Sequence, residues 1–546
     1  MTEGTPAPGL NPPPLSIPQK RPFSTEDKHT PTVGSPLNPN PRVREERTKK
    51  PTAKARKESP EPTAKKGEKS STKKAPKTSD VERPTRYKLP PPRITDFEVP
   101  SPPQFVFAST RKGQEFSEAT EIINNRKGFR YTTAIADPIF PSSFYNRQSE
   151  CEPYGARISY EDASAQVLFS NNAVSTDKGF RMGRANVGAR EGRWYWECKI
   201  LSGIKPPDDT GITGDAGGHV RLGWARREAT LEGPVGFDAY SYGLRDVSGQ
   251  KVTRSRPADF AFTDLCEGDV IGMELTLPSL SLHRKVVDGV YNKAVDTSDD
   301  LDPAASAEAP DIIRDRVVYR YKTHLYFETF EYQYTKPLED YMNPTPLPAN
   351  AASDVDPPYP NNPIPQLRTL PFSSIKVYKN GQLLGTPFTD LLAFLPPASK
   401  PNAQFGAREG HDDGMLGYYP AISVFRGGSV ETNFGPNFSY PPEELVKSED
   451  VKMDGTAESD SNIPIAGSKS RLRPMSERFD EQIAEDVVYD IIDEVDFWAL
   501  DGGDSEGAMK DLSEAAPATF GPVEIEAGAV MAMEGRKPAP LGVLPS

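Results

Sequence analysis

Two arginines, Arg221 and Arg245, are the residues of this 546-residue chain whose type and surroundings best suit a binding reaction. Each lies on or at the end of a predicted strand, and the apolar residues beside them are Phe180, Pro234 and Phe237. A guanidinium presents a planar fork of donors that matches a carboxylate through two parallel hydrogen bonds. These five residues are therefore a candidate pocket for an acidic peptide. The alternative is that each arginine is an ordinary surface charge whose stem covers aromatic side chains.

A catalytic function has little support in the sequence. The five histidines are scattered, and none has ligand spacing to a cysteine or to a second histidine. Residues 503–507 match the G-x-S-x-G pattern, but a nucleophile elbow needs a strand before it and a helix after it, and here the surroundings are acidic and glycine-rich. No P-loop or dinucleotide fingerprint is present. We therefore predict that the protein is not an enzyme, with no catalytic residue, metal site or cofactor.

The strand patterns around the two arginines predict a β-sandwich. Residues 194–200 alternate between apolar and more polar side chains, and Val220, Leu222 and Trp224 repeat the pattern. This alternation places Arg221 on the face opposite the apolar residues. Since a strand with one apolar face must pair and be covered, the fold class is mainly β, an antiparallel sandwich rather than parallel βαβ units. Asn380-Gly381 and Gly427-Gly428 are predicted turns of two β-hairpins.

Composition divides the chain into five predicted segments. Proline is abundant, with 57 residues, and it is concentrated at the N-terminus and in a few later stretches. Segments without apolar periodicity cannot bury enough surface to offset the entropy of ordering, so we expect them to be disordered. The segments are a disordered, proline-rich basic tail at 1–125, the sandwich at 126–442 with disordered insertions near 278–318 and 343–365, a linker at 443–475, a helix at 476–498 and a disordered acidic tail at 499–546.

The basic tail has two compatible interpretations. Residues 41–93 contain 18 Lys/Arg against 7 Asp/Glu. The first interpretation is a solvated tail with no specific partner. The second is a nuclear-import signal with non-specific DNA or nucleosome contact, because lysines on a flexible chain bind phosphates by releasing counterions. The sequence shows neither a leader peptide nor an apolar run of membrane-spanning length, so we expect an intracellular protein without membrane contact.

The strongest helical pattern lies between residues 478 and 497. Apolar residues recur there at spacings of three and four, and acidic residues occupy the remaining surface. The apolar stripe consists of Ile483, Ala484, Val487, Val488, Ile491 and Val495. A stripe of this length is too short to be stable alone, so it must pack against something. It either fills a groove of a partner protein or packs against its own sandwich.

The motifs around the arginine pair resemble the SPRY domain of the Ash-two-like subunits, called Bre-two-like in fungi, of COMPASS histone methyltransferase complexes. The family motifs run aromatic, M-x-R-A, WY-x-E, R-LGW, P-x-G-aromatic-D and SY-x-x-R. This chain matches them at Phe180, 182–185, 194–197, 221–224, 234–238 and 241–245. Animal members carry Tyr where Phe180 and Phe237 stand, a departure that removes a hydroxyl but keeps the apolar wall. The resemblance covers about residues 157–442.

The resemblance implies a SPRY-type sandwich in a nuclear, non-catalytic scaffold. In the family, the residues matching Phe180, Arg221, Pro234, Phe237 and Arg245 bind an acidic-aromatic segment of a WD-repeat subunit, which is retinoblastoma-binding-protein-five-like or Swd-one-like. The helix resembles the motif that binds a DPY-thirty-like (Sdc-one-like) dimer. The assembly supports a SET-domain methyltransferase acting on lysine four of histone H3, and the S-adenosylmethionine site belongs to that enzyme. The alternative function is a SPRY peptide-recognition adaptor of another complex, such as a ubiquitin ligase.

Overall fold

The computed structural model describes residues 92–125, 128–138, 145–207, 213–214, 218–296, 312–314, 316–343, 356–402, 410–445 and 471–501. The strands of its N-terminal half are β1 (Gln104–Arg111), β2 (Gln114–Thr120), β3 (Phe129–Ala136), β4 (Asn146–Gln148), β5 (Ile158–Ala163), β6 (Leu168–Ser170), β7 (Ala173–Ser175), β8 (Arg181–Ala185), β9 (Gly192–Ser202), β10 (Lys205–Pro207), β11 (Thr213–Gly214) and β12 (His219–Ala225). The later strands are β13 (Ser241–Arg245), β14 (Lys251–Thr253), β15 (Arg256–Ala258), β16 (Val270–Leu277), β17 (Arg316–Tyr321), β18 (His324–Phe330), β19 (Ser374–Lys379), β20 (Gln382–Thr389), β21 (Tyr419–Phe425), β22 (Ser429–Asn433) and β23 (Leu472–Pro474). The α-helices are α1 (Leu280–Asp288), α2 (Lys336–Met342) and α3 (Glu477–Asp501).

These strands form two large sheets and two small ones. The ten-stranded sheet has the order β1-β2-β6-β7-β22-β9-β16-β19-β20, with β23 also pairing with β9. The seven-stranded sheet has the order β15-β14-β13-β12-β21-β8-β5. A four-stranded sheet, β17-β18-β3-β4, and the pair β10-β11 complete the set. Except for β23 on β9, the strand pairs are antiparallel, which confirms the predicted fold class for the described residues.

The main hydrophobic core contains the apolar faces of β9 and β12, one strand from each large sheet. Trp194, Trp196 and Trp224 are at most 1% exposed. The rings of Trp196 and Trp224 meet edge to face, with centroids 6.3 Å apart. Burying apolar side chains of this size contributes about 2–3 kcal/mol each. The predicted alternation of β9 and β12 is therefore confirmed, and it leaves Arg221 on the face of β12 that points away from this core.

The prediction of a disordered segment over 1–125 is wrong for residues 104–120. Strands β1 and β2 form a hairpin whose turn, Lys112-Gly113, has positive φ at both residues. The hairpin extends the ten-stranded sheet because Ser117 of β2 pairs with Phe169 of β6. Phe116 is buried there, and this burial stabilises the strands. Residues 1–91, which include the basic stretch 41–93, lie outside the described residues.

Parts of the predicted insertions and linker are also ordered. Within 278–318, helix α1 is capped by the Ser279 side chain, which accepts a hydrogen bond from the Leu282 amide, and its apolar face is buried. Within 343–365, Asn362 is 1% exposed, while most of the other described residues of this segment are exposed or half-buried. Within 443–475, strand β23 pairs with β9. Burial of its apolar face stabilises α1, and pairing with β9 stabilises β23. Residues 297–311, 344–355 and 446–470 lie outside the described residues.

The two predicted hairpin turns have different outcomes. Asn380 and Gly381 have φ values of 50° and 81°, and they join the paired strands β19 and β20, which confirms the first hairpin. The second prediction is wrong, because β21 belongs to the seven-stranded sheet and β22 to the ten-stranded sheet. The turn at Gly427-Gly428 carries the chain between the sheets. A Cβ at Gly218 would lie 2.1 Å from the Gly428 amide nitrogen, so this crossing needs glycine.

The chain divides into two compact units, Met1–Glu485 and Asp486–Ser546, and helix α3 spans the boundary. The predicted helix at 476–498 is present with slightly different ends. The rest of the predicted acidic tail, residues 502–546, lies outside the described residues. No helix that the structure describes has the length and apolar character needed to cross a membrane.

Candidate peptide-binding site

The two predicted arginines lie side by side on the outer face of the seven-stranded sheet. Arg221 of β12 is directly opposite Arg245 of β13 and, on its other side, opposite Ser423 of β21. Side chains directly opposite on antiparallel strands have Cβ atoms about 5 Å apart and share a face of the sheet. The sheet therefore brings two guanidinium groups together that are 24 residues apart in the sequence.

Arg221 is a partly buried cation that lies over an aromatic ring. Its guanidinium carbon lies 4.8 Å from the centroid of the Phe180 ring, a cation–π distance. In the part of the chain that the structure describes, its guanidinium makes no ion pair. Burial, followed by repulsion from Arg245, lowers the pKa of Arg221 to about 10. The group remains charged at neutral pH, and an incoming carboxylate would relieve part of its unfavourable environment.

Among the described residues, Gln250 is the hydrogen-bond partner of the Arg245 side chain. Its Nη1 donates to Gln250 Oε1 at 2.7 Å, and its backbone amide donates to the Gln250 carbonyl at 2.9 Å. Gln250 is itself oriented, because its Nε2 donates to Asp259 Oδ1 at 3.1 Å. The partner of Arg245 is a neutral amide, so its charge also remains available to a carboxylate ligand.

Pro234 and Phe237 belong to a tight turn that lies on the same sheet. The Phe237 amide donates to the Pro234 carbonyl at 3.0 Å, and the Val235 amide donates to Ser423 Oγ at 3.0 Å. Gly236 has φ +82°, and a Cβ there would lie 2.4 Å from the Val252 carbonyl oxygen. The turn is thus close to the cross-strand neighbour of Arg221. Phe237 is 50% exposed, which leaves an apolar surface on this turn.

Arg184, a third arginine of the quoted motifs, positions the loop before this turn. Its Nε and Nη2 donate to the two oxygens of Asp162 at 2.8 and 2.7 Å. Its Nη1 donates to three carbonyls, those of Arg226, Arg227 and Ala229, at 2.7–2.9 Å. Arg184 holds the pKa of Asp162 below its usual range against the effect of burial. Sequence reasoning missed this role, because no local pattern distinguishes a buried, paired arginine from an exposed one.

The predicted helical stripe is exposed along its whole length. The exposed fractions of Ile483, Val487, Val488, Ile491 and Val495 range from 39% to 60%, and Ala484 is also exposed. Ile492, at 40% exposure, adds an apolar residue that the sequence analysis did not include. The first turn of α3 is anchored within the first unit. There, Phe479 joins the main core and Arg478 donates to the Gly188 carbonyl at 2.9 Å.

The remaining candidate groups are structural where the structure describes them. No cluster of three or more His, Cys, Asp or Glu suited to a metal ion occurs among the described residues. The three cysteines are buried and unpaired, and burial raises the pKa of each thiol. His283 is buried, and its Nε2 accepts a hydrogen bond from the Phe394 amide at 3.1 Å. The 503–507 match lies outside the described residues.

Replacing Arg221 by Met is expected to leave the free energy of unfolding unchanged or to raise it by up to about 1 kcal/mol. The change removes a partly buried cation that makes no ion pair among the described residues, and it keeps the apolar stem. Chemical denaturation of the full chain measures this difference. The matched change Arg226→Met removes a buried guanidinium that is paired with Glu228, so it is expected to destabilise the fold. A loss of 2 kcal/mol or more in Arg221→Met, a threshold set by the typical cost of a lost buried contact, would make Arg221 a structural residue.

Curated proteins of known name resemble this chain over most of its length. No family model matches the chain. The COMPASS component cclA of Colletotrichum higginsianum is 49% identical over 532 residues, covering 91% of this chain and 93% of that protein. The Set1 complex component ash2 of Schizosaccharomyces pombe is 39% identical over 417 residues, covering 76% of this chain and 52% of that protein. The solved SPRY domain of human HERC1 is 12% identical, covers 50% of this chain and 96% of that chain, and has a TM-score of 0.24. The identity to the cclA protein over most of both chains confirms the resemblance seen in the sequence motifs and shows that this chain belongs to the cclA family of COMPASS components.

Proposed function

We propose that this COMPASS component is a non-catalytic scaffold that holds a WD-repeat subunit in the pocket formed by Phe180, Arg221, Pro234, Phe237 and Arg245. The observation that carries the proposal is Arg221, a partly buried guanidinium without a carboxylate partner among the described residues, beside a second arginine. Such a group lowers its free energy when a ligand supplies the missing anion. Phe180 and the exposed ring of Phe237 add apolar surface for an aromatic side chain.

The second part of the proposal concerns helix α3. Its exposed stripe would fit the groove of a DPY-thirty-like dimer, with Ile483, Val487 and Ile491 as anchors at intervals of four. The exposure of the apolar residues along this stripe supports docking by a partner. The acidic residues along the rest of the helix would keep it soluble before the partner binds.

The complex would act in the nucleus on lysine four of histone H3. Methyl transfer would occur in the SET-domain subunit, and this chain would stabilise the active conformation of that enzyme by binding it preferentially. The basic stretch 41–93 would add nuclear import or non-specific contact with nucleosomal DNA.

A reconstituted set of SET, WD-repeat and DPY-thirty-like subunits should methylate histone H3 faster when this chain is added. An unchanged rate would contradict the scaffold function.

The variant Ile491→Glu is expected to weaken binding of the DPY-thirty-like dimer by about 100-fold, because it places a charge in the centre of an apolar interface. Isothermal titration calorimetry with the full chain measures the affinity. The same variant should bind the WD-repeat subunit normally, since the pocket is unchanged.

Leu383→Glu is the matched control for this variant. Leu383 is 57% exposed on strand β20, so the substitution adds the same charge at an exposed apolar position of a strand. It should bind the DPY-thirty-like dimer with wild-type affinity. Circular dichroism should show the same helix content for both variants. Wild-type affinity in Ile491→Glu would exclude the stripe as the docking surface.

A further inference from the structure

The arginine pair is continuous with an aromatic surface that the sequence motifs do not include. Phe425, the last residue of β21, is opposite His219 of β12, and the two rings have centroids 6.0 Å apart. Phe425 also contacts Phe180, at a centroid distance of 4.9 Å. Since Phe180 lies under the Arg221 guanidinium, the surface runs without a break from Arg221 to His219.

The spacing of His219 and Arg221 along β12 matches the spacing of alternate side chains in an extended peptide. His219 and Arg221 are two residues apart on one strand, so both side chains are on the same face, about 7 Å from each other. An extended peptide has the same repeat. Acidic side chains at positions i and i+2 of such a peptide would therefore meet Arg221 and His219 together, whereas adjacent acidic side chains point to opposite sides.

A hydrogen bond to Asp246 orients the His219 ring for contact with a ligand. Its Nδ1 lies 3.0 Å from Asp246 Oδ2, and the same oxygen accepts the Val220 amide at 3.0 Å. This arrangement fixes the ring and leaves Nε2 available, and the side chain is 35% exposed. An imidazole that can become doubly protonated is a donor and a cation for a carboxylate.

The charges that surround His219 act in opposite directions. Asp246, at the end of β13, favours the imidazolium, and burial raises the pKa of Asp246 itself. Arg221 on the same strand and Arg245 on the next strand oppose the additional positive charge. Arg426 lies over the Phe425 ring, with 5.1 Å between its guanidinium carbon and the ring centroid, and opposes it as well. A bound carboxylate would shift the balance toward the charged imidazole.

We propose that His219 forms a second acidic subsite next to the arginine pair, so that the pocket prefers a peptide with carboxylates at alternate positions and binds it more tightly at mildly acidic pH. This inference rests on the proposed function of the pocket and specifies its ligand. The sign follows from linkage: the ligand carboxylate stabilises the doubly protonated imidazole, so binding strengthens as the pH falls into the mildly acidic range.

The test uses the full chain and two fluorescein-labelled peptides of identical composition, Gly-Ser-Phe-Glu-Ser-Glu-Ser-Gly and Gly-Ser-Phe-Glu-Glu-Ser-Ser-Gly. Fluorescence polarisation at pH 6.0 and 7.5 measures the affinities. We expect the alternate-glutamate peptide to bind about threefold more tightly at the lower pH, the size of a partly exposed ion pair, and the adjacent-glutamate peptide to show little change. His219→Gln should remove the pH response, and His324→Gln, at a partly exposed strand position of another sheet, should keep it.

The outcomes separate this inference from the function on which it rests. If Arg221→Ala with Arg245→Ala abolishes binding but His219→Gln keeps the wild-type pH response, the His219 subsite is wrong and the arginine pocket stands. Equal affinities for the two peptides at pH 6.0 would also overturn the subsite. If the wild-type chain binds neither peptide, or if the double arginine variant binds both normally, the acidic-peptide function fails together with the subsite. Melting temperatures of all variants establish that each is folded.

Discussion

Replacing Arg221 and Arg245 together by Ala is expected to lower the affinity for the WD-repeat subunit by at least about 100-fold. Truncating one member of a desolvated charge pair at an interface costs about 2–5 kcal/mol, and two such members share this ligand. In the free protein neither arginine has an anionic partner among the described residues, so their removal breaks no ion pair of the fold. The double variant should therefore lose binding without losing stability, which is the opposite of what structural arginines would show.

Pull-down and calorimetry with the purified WD-repeat subunit measure this loss, and thermal unfolding measures stability. Lys322→Ala with Lys336→Ala is the matched control, because it removes two positive charges from side chains that are 45% and 83% exposed, outside the pocket. The control should retain the affinity within a few-fold, the effect of long-range charge alone. A double arginine variant that binds normally, or one that melts far below the wild type, would refute the assignment of these residues.

Arg184→Ala is expected to destabilise the fold by about 3–5 kcal/mol, because it leaves the Asp162 carboxylate buried without its main partner. It also removes donors from the carbonyls of Arg226, Arg227 and Ala229. A loss of this size is a large part of the stability of a typical domain. The pKa of Asp162 is held below its ordinary value, so the contribution of the pair is complete at neutral pH. The contribution is lost progressively as the pH falls from the ordinary carboxyl pKa, about 4, toward the lower pKa of the folded state.

Urea denaturation of the full chain measures the effect of Arg184→Ala. Arg181→Ala is the control on the same strand. Arg181 pairs with Glu232, whose side chain is 64% exposed, and an exposed pair of this kind contributes about 1 kcal/mol or less. The double change Arg184→Met with Asp162→Asn should cost less than the two single changes added together, since it leaves no unpaired charge. Equal stabilities of Arg184→Ala and the wild type would show that the pair is dispensable.

Several features of this protein follow from local sequence pattern. The alternation along β9 and β12 predicted which side chains enter the core and which face carries Arg221, because adjacent residues of a strand point to opposite sides. The spacing of three and four predicted helix α3 and its stripe, and the Asn380-Gly381 turn predicted a hairpin, because positive φ at both positions favours these residues. The family followed from the set of motifs around the arginine pair.

Only the tertiary structure decided how residues distant in sequence pair with one another. Arg184 and Arg221 have the same side chain on neighbouring parts of one sheet, yet Arg184 is paired with Asp162 and Arg221 makes no ion pair among the described residues. The turn at Gly427-Gly428 was predicted to close a hairpin, but β21 and β22 pair with strands of different sheets, and Gly218 closely approaches the turn between them. Strand periodicity reports the face on which a side chain lies, whereas its partners depend on long-range strand pairing that one strand's pattern does not contain. For that reason the sequence identified the pocket arginines as candidates, and the packed sheets determined which arginine is free to bind.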